Sequence, residues 1–293
     1  MKKIIISALA ISALLFTVSC EKEKEVDNEN ILKITNPAEL TTAVTADKDV
    51  EITLSNDVAI PSGVTITAKS ITLKGGVVDN NISLVAEDGI TIDGIKVTGS
   101  KAENNAKINI NTKGNIVVKN STFSTTTSAY NGIEINLNSD VCKSVDIENC
   151  TFSEMQNNCI NIFGMAEGGT INIKDCSFDL SSTPSNAVRL SNKTGAKNVT
   201  VNFTDCKYKY GEGESTQAFW YGFVLFQNYV KDLDKSIFND WTINVKNVTN
   251  NGVKIDKANL NTNTSSQFAC MYDDFSDPKI ITDASLFPKF IFE

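Results

Sequence analysis

The chain contains no histidine. That absence excludes a histidine general base, a histidine-ligated metal and any relay built on imidazole. Positive charge is also scarce. Lys and Arg total 27 against 35 Asp and Glu, and Arg189 is the only arginine. Nucleic acid is therefore not an expected partner, because its phosphates need neutralising by Lys and Arg. The acidic residues are spread along the chain and read as solubility rather than as a site. No two of the seven cysteines form a Cys-x-x-Cys pair. With no histidine to share ligation, no zinc site is expected, and no motif calls for another metal or a cofactor.

Long apolar runs are missing too. The longest, residues 4–18, is roughly five residues short of the ~20 needed to span a bilayer. It follows Lys2 and Lys3 and ends at Thr17-Val18-Ser19-Cys20. A positive start, an apolar stretch and a small residue before cysteine resemble a bacterial lipoprotein signal. The expectation is a signal peptide over 1–19, lipid on Cys20, and stable membrane attachment through the acyl chains. Residues 20–30 are polar and mostly acidic, without apolar periodicity, and read as a disordered tether. An acidic stretch after the lipidated cysteine resembles the surface-export signal of some Gram-negative anaerobes. The expected location is therefore the outer membrane, facing outward. Loss of Lys2 and Lys3 leaves 25 basic residues against 35 acidic, a formal charge of −10 in place of −8.

What the sequence does have is a repeat. One strand family reads Ile90-Thr91-Ile92-Asp93-Gly94, Ile116-Val117-Val118-Lys119-Asn120, Val145-Asp146-Ile147-Glu148-Asn149, Ile171-Asn172-Ile173-Lys174-Asp175 and Val201-Asn202-Phe203-Thr204-Asp205. The closing residues Gly94, Asn120, Asn149, Asp175 and Asp205 are 26, 29, 26 and 30 apart. A second family is interleaved, starting at Ile82, Ile108, Ile133, Ile160, Val188, Phe223 and Val253, with Asn131-Gly132 and Asn251-Gly252 as turn dipeptides before two of them. Each strand alternates apolar and polar, the signature of a half-buried strand. A strand of ~5 residues cannot bury its apolar face alone, but stacking like on like at ~4.8 Å buries it. Such a stack is a solenoid, with right-handed connections between its parallel strands.

After each closing residue comes Ser121-Thr122-Phe123, Cys150-Thr151-Phe152, Cys176-Ser177-Phe178 or Cys206-Lys207-Tyr208. The block Ile-x-Ile-x-Asn-Cys-x-Phe resembles the repeat of the right-handed β-helix proteins of the pectin-lyase-like superfamily, over residues 50–260. The resemblance implies an all-β, single-stranded right-handed parallel β-helix of seven or eight coils. It also implies that Asn120, Asn149, Asp175 and Asp205 bend the chain between two sheets and bond along the stack. The β-helix domain is expected over 31–293. Asn36, Pro37 and Glu39 suggest a short capping helix within an N-terminal cap, 31–49. Residues 256–293 lose the repeat and are read as a C-terminal cap, with Leu286, Phe287, Phe290, Ile291 and Phe292 plugging the last coil.

Cys150, Cys176 and Cys206 share one inward repeat position and read as a ladder of small buried side chains. Lys119, Glu148 and Lys174 share an outward one and read as a surface ion-pair column. The other outward column is Ser83, Asn109, Glu134, Asn161, Arg189, Val224 and Lys254. Within it, Arg189 with Asn161 one layer away and Glu134 two layers away suits a carboxylate or hydroxyl of a sugar. The irregular stretch 208–241 holds both tryptophans. Its Trp220, Tyr221 and Tyr229 are candidates for a sugar-stacking platform, while Phe223 and Phe226 are assigned to the core.

Many members of the resembled superfamily are lyases or hydrolases of acidic polysaccharides. A polygalacturonase-like hydrolase implies Asn-Thr-Asp, Asp-Asp, Gly-His-Gly and Arg-x-Lys blocks, of which only Asp273-Asp274 is present, beyond the repeats. A pectate-lyase-like reaction implies carboxylates that bind calcium beside an Arg or Lys base, and the column around Arg189 holds no dense acidic cluster. Fold alone does not assign an activity. The expectation is a non-catalytic binder of polysaccharide or host glycan, or an adhesin. The alternative is a lyase or glycoside hydrolase acting on acidic polysaccharide. The sequence is silent on oligomeric state.

Overall fold

The structure, a computed structural model, describes residues 30–40, 43–99, 106–136, 142–181, 186–210, 222–227, 238–258, 268–272 and 284–293. They form a parallel β-helix. Three sheets run the length of the tube, each built from one strand per coil.

Sheet A stacks Ile31–Ile34, Asp49–Thr53, residues 71–74, residues 90–93, Asn115–Lys119, Ser144–Glu148, Thr170–Lys174, Thr200–Thr204, Thr242–Lys246 and Lys289–Phe292. Sheet B follows a sharp bend and stacks eight short strands, from Ala59–Ile60 through Lys96–Val97 and Ser177–Leu180 to Thr249–Asn250. Sheet C stacks nine, from Ala43–Thr45 through Ala106–Thr112 and Asn186–Ser191 to Ala269–Tyr272. Eight coils therefore pass through all three sheets. Ile108, Ile133, Ile160 and Val188 are successive Cα partners, so like residues pile directly on like.

The bend between sheets A and B has one cause in seven of the eight coils. Gly75, Gly94, Asn120, Asn149, Asp175, Asp205 and Asn247 have φ of 68°, 70°, 53°, 52°, 51°, 54° and 52°. Only Gly, Asn and Asp visit this left-handed region readily, which is why the repeat ends on them. Six of these backbone N–H groups donate to the next coil, among them Asn120 to Glu148 O at 3.1 Å, Asn149 to Lys174 O at 3.0 Å and Asp175 to Thr204 O at 3.0 Å. Side chains add a second row where chemistry allows. Asn120 Nδ2 donates to Asp93 Oδ1 at 2.8 Å, Asn149 Nδ2 to Asn120 Oδ1 at 2.9 Å, and Asn247 Nδ2 to Asp205 Oδ1 at 3.0 Å.

The core is a set of columns. Ile116, Val118, Val145, Ile147, Ile171 and Ile173 are essentially without exposed surface, and each contributes roughly 1.5–3 kcal/mol by burial. Phe123, Phe152 and Phe178 stack face to face with centroids 4.6 and 5.1 Å apart. Tyr208 occupies the next rung. Phe223 and Phe226 are buried. So is Trp241, whose Nε1 donates to Ala196 O at 2.9 Å. Cys150, Cys176 and Cys206 are free thiols inside the tube, each donating to a backbone carbonyl of the coil below.

Three readings of the sequence are corrected. The N-terminal helix is a single 3-10 turn, Pro37–Glu39, although Asn36 Oδ1 does accept from Ala38 N at 3.0 Å. The chain then enters a strand, because Ala43–Thr45 gain a parallel partner in residues 65–67, and so short a helix gains little on its own. Second, Val224 does not lie in the outward column: Val188 pairs with Val224 and Arg189 with Leu225, so the insertion shifts the register by one. Third, Lys254 leaves that column altogether. Asn251 and Gly252, with φ of 47° and 82°, make a tight turn that folds Val253–Lys254 back antiparallel on Thr249–Asn250. Sheet C is continued instead by Ala269–Tyr272. The segment read as a C-terminal cap thus carries two further parallel rungs, and Leu286, Phe287, Phe290 and Phe292 pack against the core.

The left-handed bend makes a prediction. Asn149→Val should destabilise the chain by about 1–2 kcal/mol, because a β-branched side chain is disfavoured at positive φ. Asn149→Gly should cost less than half as much. Urea midpoints of the two variants against the parent check the ordering.

Candidate binding site

The outer face of sheet C carries the polar column that contains Glu134, Asn161 and Arg189. These three are successive Cα partners on adjacent rungs, so Glu134 and Arg189 stand two rungs, roughly 10 Å, apart. A second outward column lies two residues along each strand: Asn136, Phe163, Ser191 and Gln227. The face changes character along the tube. Glu134 and Asn136 are half-buried, whereas Asn161 is 1%, Arg189 6% and Ser191 1% exposed.

Arg189 and Lys193 share one aromatic partner. The Arg189 guanidinium carbon lies 5.9 Å from the Phe163 ring centroid and Lys193 Nζ lies 4.2 Å from it. Two cations thus approach one ring, each within cation–π range of it. Beside it, Asn161 Oδ1 and Ser191 Oγ are buried with no hydrogen-bond partner among the described residues. A buried polar atom left so costs roughly 1–3 kcal/mol, so such atoms ask for a ligand or water.

Glu134 is held differently. Its two carboxylate oxygens accept from Asn131 Nδ2 and Asn136 Nδ2, both at 2.9 Å. Asn131 starts a ladder of buried amides: Asn158 Nδ2 donates to Asn131 Oδ1 at 2.8 Å, and Asn186 Nδ2 to Asn158 Oδ1 at 3.2 Å. Gly222 N closes the far end on Asn186 Oδ1 at 3.1 Å. The ladder ties three coils together beneath the site and fixes the Glu134 carboxylate. Sequence reading missed it. By sequence Asn131-Gly132 reads as a turn dipeptide, yet Asn131 lies inside the strand Thr122–Ile135. The signal was the recurrence of Asn two residues before the aliphatic in Asn131-Gly132-Ile133, Asn158-Cys159-Ile160 and Asn186-Ala187-Val188. Phe163, Ser191 and Lys193 were missed as well, because they lie past the repeating core of each strand.

The remaining sequence candidates divide. Trp220, Tyr221, Tyr229, Asp273, Asp274 and Cys20 lie outside the described residues. The outward column Asp93, Lys119, Glu148 and Lys174 forms ion pairs, Lys119 to Asp93 at 3.4 Å and Lys174 to Glu148 at 2.8 Å. With side chains a third to a half exposed, each contributes about 0–1 kcal/mol. Among the described residues no group of three or more acidic or thiol side chains is arranged to hold a metal ion. Within the two outward columns of sheet C described above, Glu134 is the one carboxylate, whereas glycoside hydrolysis employs a pair. The arrangement offers hydrogen bonds, positive charge and an aromatic face.

Comparison with known protein families, with characterised proteins and with solved structures finds no match to this chain.

The buried thiols carry a pH consequence. Burial pushes Cys142 up to about 11 and Cys206 up to about 12, and it raises Cys159 as well. The folded state therefore holds these protons after the unfolded state has released them at its ordinary thiol pKa. The stabilisation is complete below about pH 8.5 and declines as pH rises towards the folded values. Urea midpoints should fall between pH 8.5 and 11. At pH 8, iodoacetamide should leave Cys142, Cys150, Cys159, Cys176 and Cys206 unmodified until denaturant is added, as read by mass spectrometry.

Proposed function

We propose that this chain is a lipid-anchored, surface-displayed β-helix of the pectin-lyase-like type that binds a glycan on the outer face of sheet C without catalysing its cleavage. The observation that carries this reading is the pair of buried, unpartnered acceptors, Asn161 Oδ1 and Ser191 Oγ, beside the two cations on Phe163. Asn161, Ser191 and Phe163 are enclosed, so a ligand has to displace what covers them; sugar hydroxyls would then donate to the two acceptors and a sugar's apolar face would pack on the phenyl ring. Arg189 and Lys193 favour a ligand that also bears a carboxylate. The N-terminal sequence supports attachment through Cys20, and the acidic residues after it support display outward. Trp220, Tyr221 and Tyr229 are further aromatic candidates, on sequence grounds, for the same ligand.

A glycan array with the parent chain, Asn161→Leu, Arg189→Ala and Trp220→Ala tests the reading. The expected result is retention of glycans bearing uronic or sialic acid, with each variant weakened at least tenfold, a loss of about 1.4 kcal/mol or more. Absence of binding by the parent rejects it. Unsaturated or reducing-end products released from uronic-acid polymers in the presence of calcium favour a lyase or a hydrolase instead. Anchoring is checked separately: radiolabelled palmitate should enter the parent chain in a bacterial host and be absent from Cys20→Ser.

A further inference from the structure

Sheet A has an outer face of its own, on the strands Ser144–Glu148, Thr170–Lys174, Thr200–Thr204 and Thr242–Lys246. Its middle column is Asp146, Asn172, Asn202 and Asn244, all half-buried. These side chains are hydrogen-bonded in one unbroken row. Asn172 Nδ2 donates to Asp146 Oδ1 at 2.6 Å, Asn202 Nδ2 to Asn172 Oδ1 at 2.7 Å, and Asn244 Nδ2 to Asn202 Oδ1 at 2.7 Å. Each carboxamide has two N–H donors and two acceptor lone pairs. In Asn172 and Asn202 the row uses one of each, so one donor and one acceptor are left per rung, at intervals of ~4.8 Å. The row also locks the rotamers, so no side-chain freedom is lost when a ligand arrives.

Beside the amides runs a column of hydroxyls, Thr170, Thr200 and Thr242, which are register partners on successive rungs. On the other side stand Glu148, Lys174, Thr204 and Lys246. A shallow hollow of about 290 Å³ follows the amide row, lined by Asp146, Glu148, Asn172, Lys174, Asn202 and Thr204. On these four strands Asp146 and Glu148 equal Lys174 and Lys246 in number, and Lys246 is also paired with Glu293 at 3.5 Å, so the face offers no excess of positive charge. Lys174 is engaged by Glu148 at 2.8 Å and by Asp175 at 3.4 Å.

We infer that this face binds a neutral, extended polysaccharide laid along the tube axis. Its chemistry selects that class. Donors and acceptors alternate on fixed positions at a regular interval, which matches a polymer presenting hydroxyls, themselves both donors and acceptors, at a regular interval. A polyanion is disfavoured by the overall negative charge and by the pairing of Lys174. The face is distinct from that of sheet C, and its ligand differs in carrying no charge.

The test uses the full chain in mild detergent and two readouts, affinity electrophoresis in gels containing soluble neutral glucan or mannan, and co-sedimentation with insoluble cellulose or chitin. Polygalacturonate serves as the charged comparison. Thr200→Trp and Thr204→Trp place bulk on the outward face without touching the core, and Asn172→Asp with Asn202→Asp sets like charges along the row. Thermal unfolding followed by circular dichroism identifies the variants that remain folded. The expected result is retention of the parent by at least one neutral polymer, with at least tenfold loss in the folded tryptophan and aspartate variants. The inference is overturned if the parent is retained by no neutral polymer or if the folded tryptophan or aspartate variants bind as the parent does. It is also overturned if sedimentation shows the parent self-associating through this face with Thr200→Trp restoring the monomer. Failure of the sheet C reading is separate, since it appears as loss of charged-glycan binding alone.

Discussion

The structure depends on parallel strands stacking in register, so that every residue has its own counterpart about 4.8 Å above and below. Once that constraint holds, the chain no longer needs a compact hydrophobic centre. It needs each coil to place an aliphatic or aromatic residue where the previous coil placed one. Ile133 over Ile160 over Val188, and Phe123 over Phe152 over Phe178, are the same device in two chemistries. Stability is then close to a sum of neighbouring coil contacts.

The same constraint makes polar residues periodic. A side chain that hydrogen-bonds its own kind pairs again on the next rung, and amides do this well because they both donate and accept. Three separate rows result: the exposed pair of bonds joining Asp93, Asn120 and Asn149, the buried row Asn131, Asn158 and Asn186, and the outer row Asp146, Asn172, Asn202 and Asn244. They do different work. The first accompanies the left-handed bend between sheets A and B. The second fixes Glu134 under the candidate site. The third leaves unused donors and acceptors facing outward. A β-helix thus converts a one-dimensional repeat into flat surfaces of fixed chemistry, which suits recognition of repeating polymers.

Sequence pattern carried far for the fold and less far for the site. The coils, the bend residues, the thiol ladder and the aliphatic columns were legible because each recurs, and recurrence at 25–30 residues has few other physical meanings. The errors fall where recurrence lapses. At 36–44 a local capping signal competed with strand pairing to the next coil, and pairing prevailed. After the insertion in 208–241 the register slipped by one residue, which exchanges inward and outward positions along a whole strand. That slip put Val224 where Leu225 belongs. The turn at Asn251-Gly252 was correctly placed, but it reverses the chain into a hairpin and does not open a new rung.

From the residues alone came the class of fold, the identity of the bend positions and the exclusion of histidine chemistry, because composition and period act locally and need no knowledge of what lies across the tube. The tertiary structure decided which outward residues are enclosed. Asn161, Arg189 and Ser191 sit at positions that alternate with the core and would be solvated in an isolated strand, yet they are buried beside Phe163 and Lys193. Burial depends on the rungs above and below and on what packs across them. A period-2 pattern reports which face a side chain takes and is silent on what covers that face.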